Sequence, residues 1–311
     1  MNFITIQHLN QAISGNLHKI PLDVDLVVGI PRSGMLAASI LALHRNLPFT
    51  DLESFLEGRF YAKGKTRKHP NWLQSLSDAQ HILIVDDSIS TGQAMRETRA
   101  KVDALKLDAR VSYCAILALP TNFMSVDIYL EIVNHPRLFE WHYMHHWGLN
   151  HCCVDIDGVL CEDPGFFEND DGARYQRFVE NATPRLLPTN RIAYLVTSRL
   201  EKYRQGTEDW LQRHNVSYDH LVMLDGVTAK ERRKGGGHAA FKAEVYKGTN
   251  CYLFIESSYE QAVEICERSK KPVFSVQNST YIQPKELTAH LKNLANDWRI
   301  AAKRVVRKLL P

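Results

Sequence analysis

The chain has 311 residues, a length that usually makes two domains of roughly 100–200 residues each. Hydrophobic residues make up 44% and charged residues 23%, so each half can bury a core of its own. The formal net charge of +3 is too small to indicate a nucleic-acid-binding protein, and we expect no nucleic-acid partner.

Features of secreted and membrane proteins are not found in the sequence. The first residues, MNFITIQHLNQ, do not have the charged and apolar regions of a signal peptide, and no run of about 18 apolar residues occurs. The six cysteines form no CxxC pair and lie mostly in apolar runs, which predicts reduced core thiols: Cys114, Cys152, Cys153, Cys161, Cys251 and Cys266. We therefore expect a cytoplasmic protein.

In the first half, short apolar runs alternate with helical patterns, as in βαβ units with a parallel sheet. The predicted strands cover residues 26–30, 82–85, 111–119 and 128–133, and the predicted helices cover residues 35–43 and 92–105. Residues 55–69 are polar and basic and contain Gly58 and Gly64, which predicts a loop or a hairpin.

The first candidate site follows the second of these strands. Residues 82–92 read ILIVDDSISTG, an apolar strand that ends in Asp86 and Asp87 and leads through a small, hydroxyl-rich turn into a helix. Ligands of open α/β sheets bind outside the carboxyl ends of the strands, where a helix N-terminus offers N–H groups to phosphate. Adjacent carboxylates can accept hydrogen bonds from a ribose diol, although they can also simply cap a turn.

This segment resembles the phosphoribosyl pyrophosphate (PRPP) motif of type I phosphoribosyltransferases, and residues 27–35, VVGIPRSGM, resemble that family's pyrophosphate loop. The resemblance implies that Asp86 and Asp87 are the catalytic carboxylates that hold the ribose hydroxyls. It assigns the other PRPP contacts to Arg32, Ser33 and Gly34 for pyrophosphate and to Ser88, Ser90, Thr91 and Gly92 for the 5-phosphate.

A basic stretch occupies the place of the family's flexible pyrophosphate hood. It contains Arg59, Lys63, Lys65, Arg67 and Lys68, and it would neutralise the leaving pyrophosphate together with Mg²⁺, unless it is only a solvated loop. Purine-salvage members of the family usually have an aspartate where this chain has Ser90. That difference argues against a hypoxanthine- or guanine-type acceptor.

The second half repeats the alternating pattern after a segment, residues 139–151, that interrupts it and predicts a domain boundary. Strands are predicted at residues 152–156, 192–197, 221–224, 251–255 and 272–276, and helices at residues 207–214, 239–246 and 259–268. We therefore predict an α/β protein with two doubly wound parallel-sheet domains, residues 1–140 and 150–280, followed by a basic amphipathic helix over residues 281–311.

The second candidate site begins in residues 152–160, CCVDIDGVL, where an apolar strand delivers Asp155 and Asp157 at positions i and i+2. Strand alternation would send both side chains to one face. One carboxylate can attack phosphorus while the other exchanges a proton with the leaving group.

This pattern resembles motif I of the haloacid dehalogenase superfamily, and the later motifs follow in order. The resemblance implies that Asp155 is the nucleophile, Asp157 the general acid/base and Thr197 a phosphoryl ligand. It makes Lys242 the charge-balancing lysine, for which Lys230 and Lys234 compete, and it places Mg²⁺ at Asp155, Asp157 and Glu256. Ser257 and Ser258 stand where a second acid is usual, so Glu260 is an alternative metal ligand. Residues 163–182 are expected to form a small cap.

The C-terminal helix is expected to be amphipathic. Its apolar face would carry Leu287, Leu291, Leu294, Trp298, Val305 and Leu309, and its basic residues are Lys303, Arg304, Arg307 and Lys308. A basic amphipathic helix with a tryptophan suits peripheral contact with the inner face of a membrane. Packing on its own domain and a homodimer contact are the alternatives.

Together the two sites predict transfer of a 5-phosphoribosyl group from PRPP to an acceptor, followed by removal of the 5-phosphate, with Mg²⁺ at both sites. The preferred acceptor is a sugar hydroxyl of a lipid-linked bacterial surface glycan, which makes the protein a ribofuranosyltransferase of polysaccharide assembly. A nucleobase-like heterocycle with subsequent 5′-nucleotidase action, and a PRPP-sensing regulator, are the alternatives.

Overall fold

The computed structural model describes residues 1–61, 73–168, 172–225 and 237–286. The chain divides into two compact units, one formed by residues 2–137 and the other by residue 1 and the chain from residue 138 onward. The division lies just before the predicted boundary segment, residues 139–151, part of which forms two short 3-10 helices at Tyr143–His145 and Trp147–His151.

The first unit is an α/β domain. Its strands are β1 Asn2–Ile4, β2 Leu26–Gly29, β3 Phe49–Asp51, β4 His81–Ser88, β5 Arg110–Ala118 and β6 Ile128–Ile132, and strand β7, Arg137–Phe139, crosses into the second unit. Its helices are α1 Ile6–Gly15, α2 Gly34–Arg45, α3 Leu52–Leu56 and α4 Gln93–Asp103.

The central sheet of this unit has five parallel strands in the order β3-β2-β4-β5-β6. Strand β4 is buried almost throughout because it lies in the middle of the sheet, and its apolar run is typical of a strand covered on both faces. The predicted strands of this half are confirmed. Strands β1 and β3 were not predicted, because each is only three residues long. Helix α1 was not predicted either.

The second unit has strands β8 Cys152–Val154, β9 Ile192–Leu200, β10 Tyr218–Leu224, β11 Leu253–Glu256, β12 Val273–Ser275 and β13 Thr280–Ile282. Its helices are α5 Ala173–Asn181, α6 Arg204–Arg213, α7 Gly237–Gly248 and α8 Tyr259–Ser269. The strand order is β10-β9-β8-β11-β12-β13, and all neighbours are parallel except β12 and β13. The carboxyl ends of β8, β9 and β11 therefore meet at one edge of the sheet.

Strand β13 corrects the start of the predicted C-terminal tail. Residues 281 and 282 pair with β12 as an antiparallel edge strand, because residues 276–279 turn the chain back along the sheet. A short 3-10 helix, Pro284–Glu286, follows with the proline at its first position. Residues 287–311, which carry the predicted amphipathic pattern, lie outside the described residues.

All six cysteines are buried and unpaired, as predicted for core thiols. Among the described residues, no helix combines the length and the apolar character that crossing a membrane requires.

Candidate functional sites

The first site lies at the carboxyl ends of the adjacent strands β2 and β4. Asp87 is buried, and its Oδ1 accepts a hydrogen bond of 2.9 Å from the Ser33 hydroxyl. The backbone N–H of Asp87 donates to Asp86 Oδ1, also at 2.9 Å. The predicted pyrophosphate loop and the predicted carboxylate pair are therefore joined by a direct side-chain contact.

Gly34 lets these two loops approach each other. A Cβ atom at this position would lie 2.9 Å from the carbonyl oxygen of Val85 and 3.0 Å from Asp86 Oδ1. Because real Cβ atoms rarely come so close to other atoms, a side chain here would push the N-terminus of α2 away from β4. The glycine of the RSG sequence is thus explained by packing.

The turn after the carboxylates is held by backbone contacts. The N–H of Ile89 donates to the Leu117 carbonyl at 2.9 Å, and the Asn122 side chain donates to the Ser90 carbonyl. Gly92 has a φ of +75°, a conformation that few residues with side chains adopt, and helix α4 begins at the next residue. The predicted 5-phosphate loop therefore lies at a helix N-terminus, where free N–H groups suit an anion.

Arg137 is a buried cation that the sequence did not single out. Its Nη2 donates to the Ile89 carbonyl at 2.7 Å, and its positive charge acts to lower the pKa of Asp86. Burial, together with the charge of Asp87, nevertheless raises the pKa of Asp86 to about 8, and Arg137 only partly opposes this shift. Burial and the neighbouring charge thus disfavour a second negative charge on this carboxylate pair, and a cation or hydroxyl donors would stabilise it.

The remaining predicted residues of the first site are only partly described. Arg32 is exposed, as a ligand-binding side chain in an open loop is expected to be. Within the hood, Arg59 is exposed and forms an ion pair with Glu57. The other four residues, Lys63, Lys65, Arg67 and Lys68, lie outside the described residues.

The second site is a cavity of about 160 Å³ at the carboxyl ends of β8 and β9. Four predicted residues line it together: Asp155, Asp157, Thr197 and Lys242. The rest of the wall is formed by Asp163, Pro164, Tyr175, Ser198, Leu200, His238, Ser257 and Gln261. The Ser198 hydroxyl is buried and has no hydrogen-bond partner among the described residues.

Lys242 of helix α7 connects two strands of this site. Its ammonium group donates to Asp155 Oδ2 at 2.6 Å and to Glu256 Oε2 at 2.8 Å, and all three side chains are buried. Burial alone would lower the pKa of Lys242, but attraction by the two carboxylates raises it, so the lysine stays charged. Burial raises the pKa of Asp155 well above its usual range, and Lys242 acts in the opposite direction. Lys230 and Lys234, the competing lysines, lie outside the described residues.

Asp157 is held by a second buried cation, Arg199. The guanidinium donates from Nη2 and Nε to Asp157 Oδ1 at 2.6 and 3.0 Å, and the Tyr175 hydroxyl donates to Oδ2 at 3.2 Å. Burial on its own lowers the pKa of Arg199, but the charge of Asp157 raises it by more. The two carboxylates of the DID sequence thus have separate cationic partners.

The turn after Asp157 brings a further acid into the cavity. Gly158 has a φ of +74°, and a Cβ atom there would lie 2.5 Å from the Ser257 Cβ and 2.7 Å from Asp163 Oδ2. The glycine therefore permits both the sharp turn and the close approach of Asp163. Burial, followed by the charge of Asp157, raises the pKa of Asp163.

Glu256 and the two serines after it interact mainly with one another. Glu256 Oε1 accepts from the Ser257 hydroxyl at 3.1 Å and from the Ser258 N–H at 3.3 Å, and the Ser258 side chain caps helix α8. Both Glu256 oxygens therefore already have protein donors. Glu260 is exposed, and the cavity wall includes Gln261 in its place. No group of three or more His, Cys, Asp or Glu side chains within the described ranges is arranged to hold a metal ion.

Four residues of these sites were missed by the sequence interpretation: Arg137, Asp163, Tyr175 and Arg199. Only Arg199 had a usable local signal. It lies two residues after Thr197 in strand β9, and strand alternation places both on the same face. The other three reach their partners only through the folded structure.

Residues 3–116 match the family model described as the phosphoribosyl transferase domain. A curated relative, the transcriptional regulator GfcR of Methanothrix thermoacetophila, is 30% identical over 104 residues, which is 32% of this chain and 50% of the relative. The chain thus spans about half the length of this relative.

Solved structures similar to this chain include two purine phosphoribosyltransferases. The enzyme from Pyrococcus horikoshii is 19% identical with a TM-score of 0.33, and the match covers 45% of this chain and 94% of that one. The xanthine-guanine-hypoxanthine phosphoribosyltransferase of Helicobacter pylori is 17% identical with a TM-score of 0.32, over 45% of this chain and 90% of that one. The similarity of the N-terminal α/β domain to the phosphoribosyl transferase domain rests on the match of the family model over residues 3–116.

Proposed function

We propose that the protein transfers a 5-phosphoribosyl group from PRPP to an acceptor and then removes the 5-phosphate at its second site. The observation that carries the second step is the convergence of Asp155, Asp157, Thr197 and Lys242 on one small cavity. The first step is supported by the family match over residues 3–116 and by the carboxylate pair beside an open phosphate loop.

In the first step the residues of the chain bind and orient PRPP. Asp86 and Asp87 accept hydrogen bonds from the ribose hydroxyls, and the turn before α4 offers N–H groups to the 5-phosphate. The bond between C1 of the ribose and the pyrophosphate oxygen breaks, and a bond from C1 to the acceptor forms as the acceptor loses a proton. Arg32 and the hood would attract the departing pyrophosphate.

In the second step Asp155 attacks the phosphorus of the ester, and the bond to the sugar oxygen breaks. Asp157 supplies the proton that this oxygen needs, and it later takes a proton from the water that hydrolyses the aspartyl phosphate. Lys242 stabilises the ionised form of Asp155 that attacks, because its ammonium group donates to Oδ2 at 2.6 Å. The buried Ser198 hydroxyl and Thr197 suit the phosphoryl oxygens, because a buried polar group without a partner is costly.

The donor set of the cavity fits Mg²⁺, which prefers oxygen ligands. Asp155, Asp163 and the backbone carbonyl of Asp157 would hold the ion. Its charge would oppose the burial and the neighbouring charge of Asp157 that raise the pKa of Asp163. When bound, Mg²⁺ supplies charge neutralisation for the phosphate. Glu256 is a further predicted ligand, and, like Asp155, it accepts hydrogen bonds from protein donors at both of its oxygens.

The proposed acceptor is a hydroxyl of a lipid-linked surface glycan, which makes the net reaction ribofuranosyl transfer. It is supported by Ser90 in place of a base-handling carboxylate and by the amphipathic pattern of the C-terminal sequence, which suits contact with the inner face of the membrane. If the acceptor is instead a nucleobase-like heterocycle, the second site acts as a 5′-nucleotidase.

A PRPP-sensing regulator is the second candidate function, because the curated relative that matches the N-terminal part is named a transcriptional regulator. Such a protein would bind PRPP without releasing pyrophosphate or phosphate. The cavity of the second unit, lined by Asp155, Asp157, Thr197 and Lys242, favours an enzyme over this candidate.

The test compares wild type with Asp155→Asn in the presence of Mg²⁺, ribose-labelled PRPP and host membranes, followed by lipid and aqueous extraction. We expect the variant to accumulate a phosphoribosylated lipid-linked glycan that the wild type converts into its dephosphorylated form. Asp87→Asn is the control for the first site and should abolish both products. A labelled nucleotide in the variant and a nucleoside in the wild type would select the heterocycle, and binding of PRPP without turnover would select the regulator.

A further inference from the structure

Asp157 is held by two residues to which the sequence analysis gave no role. Arg199 donates two hydrogen bonds to Oδ1, at 2.6 and 3.0 Å, and Tyr175 donates one to Oδ2, at 3.2 Å. The two oxygens of the carboxylate therefore have different partners. A carboxylate that keeps all three bonds has one orientation. Asp157 lines the cavity, and its Oδ2 accepts fewer of these three bonds than Oδ1 does.

The side chain of Arg199 is itself held in place by the surrounding helices. Arg199 Nη1 donates to the Thr207 hydroxyl of α6 at 3.3 Å, and the guanidinium lies 5.8 Å from the ring centre of Phe178 of α5. The side chain of Arg199 is 0% exposed, whereas that of Asp157 remains 18% exposed. A substrate can reach Asp157 but not the guanidinium, so Arg199 can affect chemistry only through Asp157.

We propose that Arg199 and Tyr175 are positioning residues that present Oδ2 of Asp157 to the leaving oxygen of a phosphate ester. The proposal rests on the phosphatase function proposed above. As the bond from Asp155 to phosphorus forms and the ester bond breaks, the proton on Oδ2 passes to the leaving oxygen. Arg199 and Tyr175 keep their own protons throughout, so their contribution is orientation alone.

If Arg199 and Tyr175 have this role, the effect of replacing them should depend on the leaving group of the substrate. The alkoxide released from ribose 5-phosphate is a poor leaving group and needs a proton as the bond breaks, whereas p-nitrophenolate leaves without one. The ratio kcat/KM includes only the steps up to formation of the aspartyl phosphate, so it reports the proton donation and not the later hydrolysis. Loss of the Asp157 orientation should therefore lower kcat/KM for ribose 5-phosphate much more than kcat/KM for p-nitrophenyl phosphate.

The experiment measures kcat/KM of the full-length protein for both substrates in the variants Arg199→Gln, Arg199→Lys and Tyr175→Phe, with Asp157→Asn as the reference for complete loss. General acid catalysis contributes roughly 100- to 10,000-fold. We expect Arg199→Gln to lower kcat/KM for ribose 5-phosphate by about 100-fold or more, and kcat/KM for p-nitrophenyl phosphate by less than about 10-fold. Arg199→Lys should recover part of the loss, because one N–H donor can still reach Oδ1.

Arg204→Gln is the matched control, since Arg204 is a partly exposed arginine that pairs with Glu201 and Glu208 outside the cavity. The Arg204→Gln variant should have the wild-type kcat/KM for both substrates. Equal losses on the two substrates in the Arg199 variants, or faster turnover of ribose 5-phosphate, would overturn the proposal. If Arg199→Gln does not fold, the same comparison in Tyr175→Phe decides: an equal effect on both substrates refutes the positioning role, and a selective one supports it.

Failure of this proposal differs from failure of the proposed function. A wild-type protein that hydrolyses neither substrate while Asp155→Asn behaves identically would refute the phosphatase itself. A wild-type protein that hydrolyses both, with variants that lose activity uniformly, would refute only the positioning role.

Discussion

Replacement of Lys242 by methionine tests the charge balance of the second site most directly. The ammonium lies 2.6 Å from an oxygen of Asp155 and 2.8 Å from one of Glu256, and the two carboxylate side chains are only 4% and 0% exposed. Methionine keeps the length and the packing of the aliphatic stem but removes the charge. Two buried carboxylates would then face each other without a cation.

Removal of one partner from a buried ion pair costs about 3–5 kcal/mol, because an uncompensated charge stays in the interior. We expect a loss of this size in the free energy of unfolding of the second unit. Asp155 can reduce the cost by taking up a proton, since burial already raises its pKa. The loss should therefore be smaller at pH 5 than at pH 8, because protonation of Asp155 is easier at the lower pH.

The assay is amide hydrogen exchange followed by mass spectrometry, which resolves the two units within the intact chain. Peptides from β9 and β11 should lose about two to four orders of magnitude in protection, since 1.4 kcal/mol corresponds to tenfold. Peptides from β4 and β5 of the first unit serve as an internal reference. Lys247→Met, an exposed change in the same helix α7, should stay within about 0.5 kcal/mol of wild type.

The double variant Lys242→Met with Glu256→Gln shows whether charge is the cause. It restores the wild-type net charge of −1 for the three side chains, so part of the lost stability should return, while phosphatase activity should stay low. If the double variant is as unstable as the sum of the single ones, or if Lys242→Met costs less than about 1 kcal/mol at pH 8, the reasoning from charge is refuted.

Three further changes test the packing and the electrostatics of both sites. Gly158→Ala should lower the free energy of unfolding by about 1–3 kcal/mol and reduce phosphatase activity. The new Cβ would lie 2.5 Å from the Ser257 Cβ, and residue 158 would have to keep a φ of +74°. A thermal denaturation curve that matches that of the wild type would contradict this prediction. Arg137→Met should weaken PRPP binding by about tenfold in isothermal titration calorimetry, since one charge-assisted hydrogen bond to the phosphate loop is lost; unchanged affinity would show that the contact is only structural. The pKa of Asp86 is raised to about 8 in the folded state. Between about pH 4 and pH 8 the folded protein therefore keeps a proton on Asp86 that the unfolded chain has lost. Because of this group, the free energy of unfolding should fall as the pH rises through that range. Asp87→Asn removes a charge that raises the pKa of Asp86, so the difference between the urea midpoints at pH 5 and pH 8 should shrink, and an unchanged difference would argue against this coupling.

Much of the fold was readable from the sequence because its information is local. The buried run before Asp86 and the one before Asp155 each consist of a few consecutive apolar residues, and periodicity of that kind predicts a strand without knowledge of its neighbours. The carboxylates come directly after these runs in the sequence. Their position at the carboxyl edge of a parallel sheet could therefore be predicted as well. Short edge elements such as β3 and β13 were missed or assigned to other structure, because three residues give too little pattern.

The sequence by itself determined the central strands, the helices predicted between them, both acidic pairs and the glycines beside them, because each depends on neighbouring residues. The tertiary structure alone decided the partners of those acids. Arg199 meets Asp157 across 42 residues, and Lys242 meets Asp155 across 87. Arg137, 51 residues further along the chain, acts on the pKa of Asp86 through its charge. Such contacts arise when distant segments pack around a common sheet, and the charge of a buried carboxylate depends on the partner that packing brings to it.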